Sequence, residues 1–193
     1  MKKIIILLAV ALLCVSGTVS AQTISVSGQL GWAIPQGSAF NPVAGEKVAK
    51  GGLAYSVDAL YFLPQFDNKL GVGVAYQGDL LFGVSSESIG AYSLNLYGVK
   101  GYYRFFNKKV TPYVALSMGL SQYGTPDITF GDGTVVKGVK ASSFGVSPEI
   151  GVELGGFIIS ANYIVPMKYN FEGVKPSAGS LAISIGYRHY ISF

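Results

Sequence analysis

The sequence predicts an all-β fold: an eight-stranded antiparallel up-and-down β-barrel that crosses a membrane with its strands. Three observations lead to this prediction. The chain is 50% apolar and 12% charged, yet beyond residue 22 its apolar residues alternate with small or polar ones instead of forming long runs. Eight such alternating segments follow one another, joined by short and longer connections in turn. The last segment ends the chain on an aromatic residue, in the stretch YRHYISF.

The first 21 residues have the layout of a secretory signal peptide. Two lysines precede an apolar run from Ile4 to Val15, which is too short to span a bilayer, and small residues follow it. The expected mature barrel domain is therefore residues 22–193. Cys14 raises the alternative of a lipid anchor, but leucines precede it where lipid attachment requires a small residue, so we assign it to the removed segment. The mature domain then has no cysteine, which excludes disulfides and thiol chemistry.

Each of the eight segments has one row of large apolar residues and one row of small or polar residues, which is the period of a strand with two different faces. The segments are TISVSGQLGWAI (23–34), GLAYSVDALYFL (52–63), KLGVGVAYQGDLLF (69–82), AYSLNLYGVKGYYRFF (91–106), TPYVALSMGLS (111–121), SFGVSPEIGVEL (143–154), FIISANYIVP (157–166) and LAISIGYRHYISF (181–193). Connections at 64–68, 107–109 and 155–156 are short, and those at 35–50, 83–90, 122–141 and 168–180 are longer. Short turns at one end and long loops at the other are typical of a bacterial outer-membrane barrel.

Two segments depart from strict alternation. In 91–106 the apolar row contains Leu94 and Leu96 at the start but Val99 towards the end. We expect a β-bulge at Gly98 to absorb this slip of one residue. In 143–154, Pro148 removes one backbone donor from the ladder, so we expect a bulge or a local distortion there.

The alternation alone would also suit a soluble β-sandwich. A sandwich, however, has no need for Gly, Ser and Ala on nearly every strand opposite large apolar side chains. A narrow eight-stranded lumen does need them, and hydrocarbon accepts the large side chains on the outer face. Aromatic residues also fall near both expected interfaces: Trp32, Tyr55, Tyr92 and Phe144 towards the long loops, and Tyr61, Tyr103, Phe105, Phe157 and Phe193 towards the short turns.

With its eight segments, including TPYVALSMGL and FGVSPEIGVEL, and its terminal YRHYISF, the chain resembles the small outer-membrane β-barrel family of the OmpX and OmpA-barrel type. The resemblance covers nearly all of residues 22–193. It implies a Gram-negative outer-membrane location with both termini periplasmic. It also implies that the barrel assembly machinery reads the last strand, with Phe193, Ile191 and Tyr187 as the assembly signal.

Few residues point to chemistry. His189 is the only histidine, and some small barrels are lipid-modifying enzymes. However, His189 falls on the lipid-facing row and has no carboxylate on its own strand, which favours a structural role. Asp127 and Asp132 lie in one loop and are a weak signal for a cation. GVGVAYQG is not followed by a helix, which excludes a dinucleotide motif. Twelve Lys and Arg, 14 less Lys2 and Lys3, oppose 10 acids, so nucleic acid is not expected as a partner. We expect no cofactor.

The loop at 122–141 contains the stretch DITFGDGTVVKG, in which two β-prone runs flank a glycine-rich centre. This pattern predicts a hairpin that rises above the membrane. Its exposed edge suits an extracellular partner that adds a strand. The alternative is a rigid extension of the neighbouring strands without any partner.

Seven charged residues fall on the inward rows: Asp58, Asp79, Lys100, Arg104, Glu149, Glu153 and Arg188. Because side chains can meet across so narrow a lumen, and unpaired buried charges are costly, we expect a salt-bridged network. Its upper layer would join Lys100 and Arg188 to Asp58 and Glu149. A second pair, Arg104 with Glu153, would lie nearer the short turns, and Asp79 would lie near the loop mouth.

These features favour a non-enzymatic outer-membrane barrel with a side-chain-filled lumen, whose wall supports the envelope or whose loops interact with the surroundings. A narrow pore or transporter for small or apolar solutes is the alternative, and the polarity of the lumen separates the two. A lipid-modifying enzyme is a third reading, and it depends on His189.

Overall fold

The computed structural model describes residues 23–40, 48–84, 89–126, 128–129, 135–170 and 175–193. The expected signal peptide at 1–21 lies outside these residues, as do Asp127 and Asp132. Within the described part of the chain, no helix has the length and apolar character needed to cross a membrane.

Eight long antiparallel strands close into a single barrel, which confirms the predicted fold. They are β1 (Thr23–Gln36), β2 (Gly51–Phe62), β3 (Leu70–Val84), β4 (Ile89–Arg104), β5 (Val110–Gly124), β8 (Lys140–Leu154), β9 (Phe157–Lys168) and β10 (Ser177–Ser192). Each strand pairs with the next along the chain, and β1 pairs with β10 to close the ring. Between β5 and β8, the short strands β6 (Ile128–Thr129) and β7 (Val135–Val136) form the predicted hairpin outside the barrel.

The two ends of the barrel differ in how the strands are connected. At the turn end, residues 63–69, 105–109 and 155–156 join neighbouring strands, and the first pair of β1 with β10, Thr23 with Ser192, lies there too. Gly155 and Gly156 have φ of +62° and +102°, a conformation that favours glycine in a two-residue hairpin. The longer connections lie at the opposite end, which we call the loop end.

The outer wall of the barrel is apolar on every strand. Eight outward side chains, one from each strand, are between 48% and 67% exposed: Leu30, Val57, Val74, Val99, Leu120, Ile150, Ile159 and Ile185. Trp32 and Phe144 are exposed towards the loop end, and Tyr103, Phe105, Phe157 and Phe193 towards the turn end. Such a belt of apolar residues is far larger than the exposed patches of soluble monomers and matches a lipid-facing surface.

The expected bulge at Gly98 is wrong. The register of β4 runs without a shift against both β3 and β5. Leu94 and Leu96 are therefore on the inward row and are fully buried in the lumen, and Tyr92 packs edge-on against Phe40 instead of joining the outer aromatic belt. The alternation of the strand keeps its phase, and the apolar residues simply change sides because the lumen at the loop end is itself apolar.

Of the two alternatives expected at Pro148, the structure shows no bulge but does show a local interruption of one ladder. The strand that contains Pro148 keeps an unbroken register with β5, so no bulge forms on that side. On the other side, the ladder between β8 and β9 runs only from Leu154 with Phe157 to Glu149 with Asn162, and it ends next to the proline. Because proline has no backbone N–H to donate, the ladder between β8 and β9 ends beside it, and neither ladder contains an extra residue.

The lumen is packed with two apolar clusters, one at each end. The cluster at the loop end contains Ala33, Phe40, Ala49, Ala54, Leu81, Leu94, Leu96, Tyr123, Ile164, Tyr169, Ala178 and Ala182. The cluster at the turn end contains Leu60, Phe62, Tyr102, Tyr113, Ala115 and Ile158. Four charged side chains lie between these clusters and are each at most 5% exposed: Asp58, Lys100, Glu149 and Arg188.

Close packing in the lumen requires glycine at Gly151. A Cβ atom there would lie 2.6 Å from the Tyr113 ring and 2.6 Å from the carbonyl oxygen of Ile159. We predict that Gly151→Val lowers the free energy of unfolding by about 1–3 kcal/mol, because the new side chain would overlap a backbone oxygen and a ring that already packs against Tyr102. Urea titration in micelles, followed by the fluorescence of Trp32, the only tryptophan, measures the change.

The matched control is Gly101→Val. A Cβ atom at Gly101 meets nothing within 4 Å, and the residue is exposed on the outer wall. Equal unfolding free energies for the two variants would contradict the close packing of the lumen around Gly151.

Candidate functional site

The candidate site is a cluster of charged side chains that crosses the lumen. Asp58 on β2, Lys100 on β4, Glu149 on β8 and Arg188 on β10 all point inwards, and each is at most 5% exposed. In the ring of strands, β2, β4, β8 and β10 alternate with β1, β3, β5 and β9. All four strands run from the loop end to the turn end, and each charged residue lies four or five residues before the last residue of its strand. The four side chains therefore lie at similar heights in the barrel.

Lys100 lies at the centre of the cluster. Its Nζ atom is 2.8 Å from Oδ2 of Asp58 and 2.7 Å from Oε2 of Glu149. Asp58 is in turn shared, because Nη2 of Arg188 donates to both of its carboxylate oxygens at 3.2 and 3.1 Å. The four residues thus form a continuous chain of ion pairs, although Arg188 does not reach Glu149.

The expected pair of Arg104 with Glu153 is wrong. Glu153 is 3.3 Å from Nη1 of Arg188 and accepts hydrogen bonds of 2.9 and 2.8 Å from the hydroxyl of Tyr190. Arg104 instead donates its Nε–H to the carbonyl oxygen of Asn68 at 2.9 Å, and its guanidinium lies over the rings of Phe62 and Tyr190. The long Arg188 side chain thus spans both layers that the sequence had separated, and Arg104 is left at the turn-end rim.

Neutral side chains complete the cluster. Oε1 of Glu149 accepts hydrogen bonds from the Tyr113 hydroxyl at 2.6 Å and from the Gln29 amide at 3.1 Å. Gln29 in turn accepts a hydrogen bond of 2.6 Å from Ser160. The Arg188 guanidinium lies 4.2 Å from the centroid of the Tyr102 ring. The buried carboxylates therefore have the several partners that buried charges require.

Sequence reasoning missed these neutral partners, although part of the signal was present. Tyr113, Tyr190 and Gln29 all lie on inward rows, so period-two alternation could have placed them in the lumen. Their partners depend on side-chain rotamers and on the stagger between strands, which alternation does not report.

Small inward residues make room for the long charged side chains. Lys100 is paired in register with Gly73 on β3 and Ser117 on β5, and Ser117 is paired with Ser147 on β8. Residues this small leave space above the backbone, into which the Lys100 chain extends. The row of glycines and serines that indicated a narrow lumen is therefore also what permits the ion pairs.

Asp79 lies towards the loop end of the lumen, as the sequence predicted, but its side chain is enclosed there. It is only 4% exposed and accepts a short hydrogen bond from the hydroxyl of Ser180. In register it lies between Ala54 and Leu94, both of the apolar cluster at the loop end. No Lys or Arg of the described residues forms an ion pair with it.

His189 and the C-terminal residues lie on the outer wall near the turn end. His189 is exposed, and no described carboxylate is hydrogen-bonded to it or within ion-pair distance of it. Tyr187, Ile191 and Phe193 are 49%, 42% and 70% exposed and share the outward row with it. The described residues contain no group of three or more His, Cys, Asp or Glu side chains that could hold a metal ion.

Solved structures share this closed barrel. The crystal structure of Neisserial surface protein A superposes with a TM-score of 0.63 at 19% identity, over 86% of this chain and 95% of that chain. The protein has the fold of the small outer-membrane β-barrels. Ail of Yersinia pestis, in complex with the heparin analogue sucrose octasulfate, gives a TM-score of 0.55 at 15% identity, over 89% of this chain and 100% of that chain. No protein-family model and no curated protein sequence matches this small barrel.

The cluster makes a specific prediction about Lys100. We predict that Lys100→Met destabilises the barrel by about 3–5 kcal/mol, because it leaves Glu149 without a cation and removes one of the two that hold Asp58. The double variant Lys100→Met/Glu149→Gln should recover part of the loss, since Asp58 keeps Arg188. Urea titration of the folded fraction measures all three proteins.

Lys69→Met provides the control for this experiment. Lys69 pairs with the exposed Asp67 at 3.2 Å in a turn, where an ion pair contributes about 0–1 kcal/mol. If Lys100→Met costs no more than Lys69→Met, the buried cluster does not stabilise the barrel.

Proposed function

We propose that the protein is a non-enzymatic integral outer-membrane protein whose lumen is closed by side chains. The observation that carries the proposal is the ion-paired chain from Glu149 through Lys100 and Asp58 to Arg188, which crosses the lumen from one wall to the other. With the apolar clusters on either side, it fills the cross-section through which a solute would have to pass.

The outer wall supports the membrane location. Its apolar belt faces outwards on every strand, and the eight strands close into a ring, as a sheet that spans a bilayer must. In this proposal the turn end and both termini are periplasmic, and the loop end faces the outside of the cell. The outward row of Tyr187, Ile191 and Phe193 would then be available to the barrel assembly machinery.

The surface role in this proposal belongs to the loop end. The paired strands β6 and β7 lie between β5 and β8 in the chain, within the loop 122–141, and a two-stranded sheet has edges that an extended partner segment can join. An extracellular partner through this loop is therefore part of the proposed function, alongside mechanical support of the envelope.

A narrow pore is the second candidate, and one feature favours it. The amide of Gln77 and the hydroxyls of Ser117 and Ser147 are buried in the lumen without a hydrogen-bonding partner among the described residues. Such groups suit contact with water or a small polar solute. The charge cluster nevertheless interrupts any continuous path past them.

Conductance distinguishes the two candidates. We predict that the refolded protein in planar bilayers gives no steady conductance of porin size, because buried ion pairs and packed side chains occupy the lumen. The folded state is checked first by electrophoresis in SDS, in which the folded barrel keeps a different mobility from the boiled protein. Steady open channels in protein that passes this check would overturn the closed lumen and support the pore.

The enzyme hypothesis depends on His189, and a single variant tests it. We predict that His189→Ala folds with an unfolding free energy within about 0.5 kcal/mol of the parent, because the side chain is exposed on the outer wall. Phospholipid hydrolysis and acyl transfer are then assayed on both proteins. An activity of the parent that is lost in the folded variant would contradict a non-enzymatic role.

A further inference from the structure

The turn-end rim carries a basic pocket that the charge cluster does not explain. A cavity of about 320 Å³ lies next to the tight turn at Gly155 and Gly156, and its lining includes Arg104, Lys108 and Lys109. These cations come from the end of β4 and the turn that follows it. They meet the end of β10 because that strand continues beyond its last pair with β9, Tyr187 with Phe157.

The positive charge of this pocket is not neutralised from within the described residues. Glu153 is the one acid in the lining, and it is already bound to Arg188 and Tyr190. No described carboxylate lies within 4 Å of the amino groups of Lys108 or Lys109. Arg104 is held in place by Asn68 and two aromatic rings without meeting an acid. The pocket therefore presents three cations to a ligand.

An apolar groove adjoins the basic pocket on the outer wall. It has a volume of about 870 Å³, and its outward lining includes Leu30, Val57, Leu154, Phe157 and Ile185. Tyr187 lines both the groove and the basic pocket, so the two meet at this side chain. Gly28 lies beside Tyr187 in the ladder, and a Cβ atom there would meet nothing within 4 Å. The missing side chain at Gly28 leaves a notch in the wall.

We propose that the pocket and the groove together bind one anionic phospholipid of the periplasmic leaflet. Its phosphate would lie among Arg104, Lys108 and Lys109, and an acyl chain would lie along the groove past Tyr187 and the notch at Gly28. This proposal rests on the proposed membrane location, which puts the turn end at the periplasmic headgroups. Charge complementarity selects an anionic headgroup over a zwitterionic one, since lysines near a membrane surface favour anionic lipid.

The test measures lipid binding by native mass spectrometry of the refolded mature protein in detergent micelles. Phosphatidylglycerol and phosphatidylcholine of equal chain length are titrated separately. We expect the parent to bind phosphatidylglycerol more tightly. Lys108→Gln/Lys109→Gln should weaken that binding by roughly 10- to 30-fold, because each interfacial lysine contributes about a factor of five. The control, Lys137→Gln/Lys140→Gln, changes two exposed lysines at the loop end and should have no effect.

A second pair of variants tests the groove. Gly28→Leu fills the notch and should weaken the binding of both lipids, whereas Gly101→Leu adds the same side chain at another open position of the outer wall and should not. Unchanged phosphatidylglycerol binding in either the lysine or the Gly28 variant would overturn the site. The site would also be overturned if inorganic phosphate displaced phosphatidylglycerol as well as free phosphatidylglycerol does, because a free anion would then be the ligand.

The proposed membrane location is tested separately in the same samples. Only protein that keeps its folded mobility in SDS without boiling is titrated. A chain that never reaches this state contradicts the outer-membrane proposal, and a folded chain without lipid preference contradicts only the lipid site.

Discussion

The ion pairs of Lys100 are the interaction on which the lumen depends. Its single ammonium group lies within 2.8 Å of two carboxylates from two other strands, Asp58 on β2 and Glu149 on β8. A carboxylate enclosed between apolar clusters has no access to bulk water, so each needs a cation or several donors. Arg188, Tyr113 and Gln29 supply the further hydrogen bonds that the two carboxylates do not receive from Lys100.

Period-two alternation predicted much of this arrangement from the sequence. The outer wall and the inward position of the charged residues follow from the side that a residue takes on its strand. The closed topology was predicted by the eight successive segments and their alternating short and long connections. The prediction failed where polarity was used to infer the side. Leu94 and Leu96 were placed outside because they are apolar, but the loop end of the lumen is apolar too. Where both faces of a strand are apolar, the polarity of a residue no longer identifies its face. The face must then be counted, residue by residue, from a part of the strand where the two faces differ.

The individual partners could not be predicted in the same way. Heights counted along each strand placed Arg104 opposite Glu153, but a strand tilt and stagger that the sequence does not state determine which heights meet. Arg188 has the length to contact both Asp58 and Glu153, so it takes the position that had been assigned to Arg104. Asp79 shows the same limit, because its burial depends on the neighbours Ala54 and Leu94 and not on its own height.

The charge cluster also lies where the barrel wall is least complete. The ladder between β8 and β9 ends at Glu149 with Asn162, beside Pro148, and above this point β8 keeps ladder partners only on β5. Glu149, the last residue of that ladder, is bound across the lumen by Lys100 of β4 and Gln29 of β1, and it also accepts a hydrogen bond from Tyr113 of the neighbouring strand β5. Side-chain hydrogen bonds across the lumen thus hold β8 at the height where its backbone ladder with β9 ends. A closed lumen and a stable wall are therefore two consequences of the same side chains, and a substitution that opens one would weaken the other.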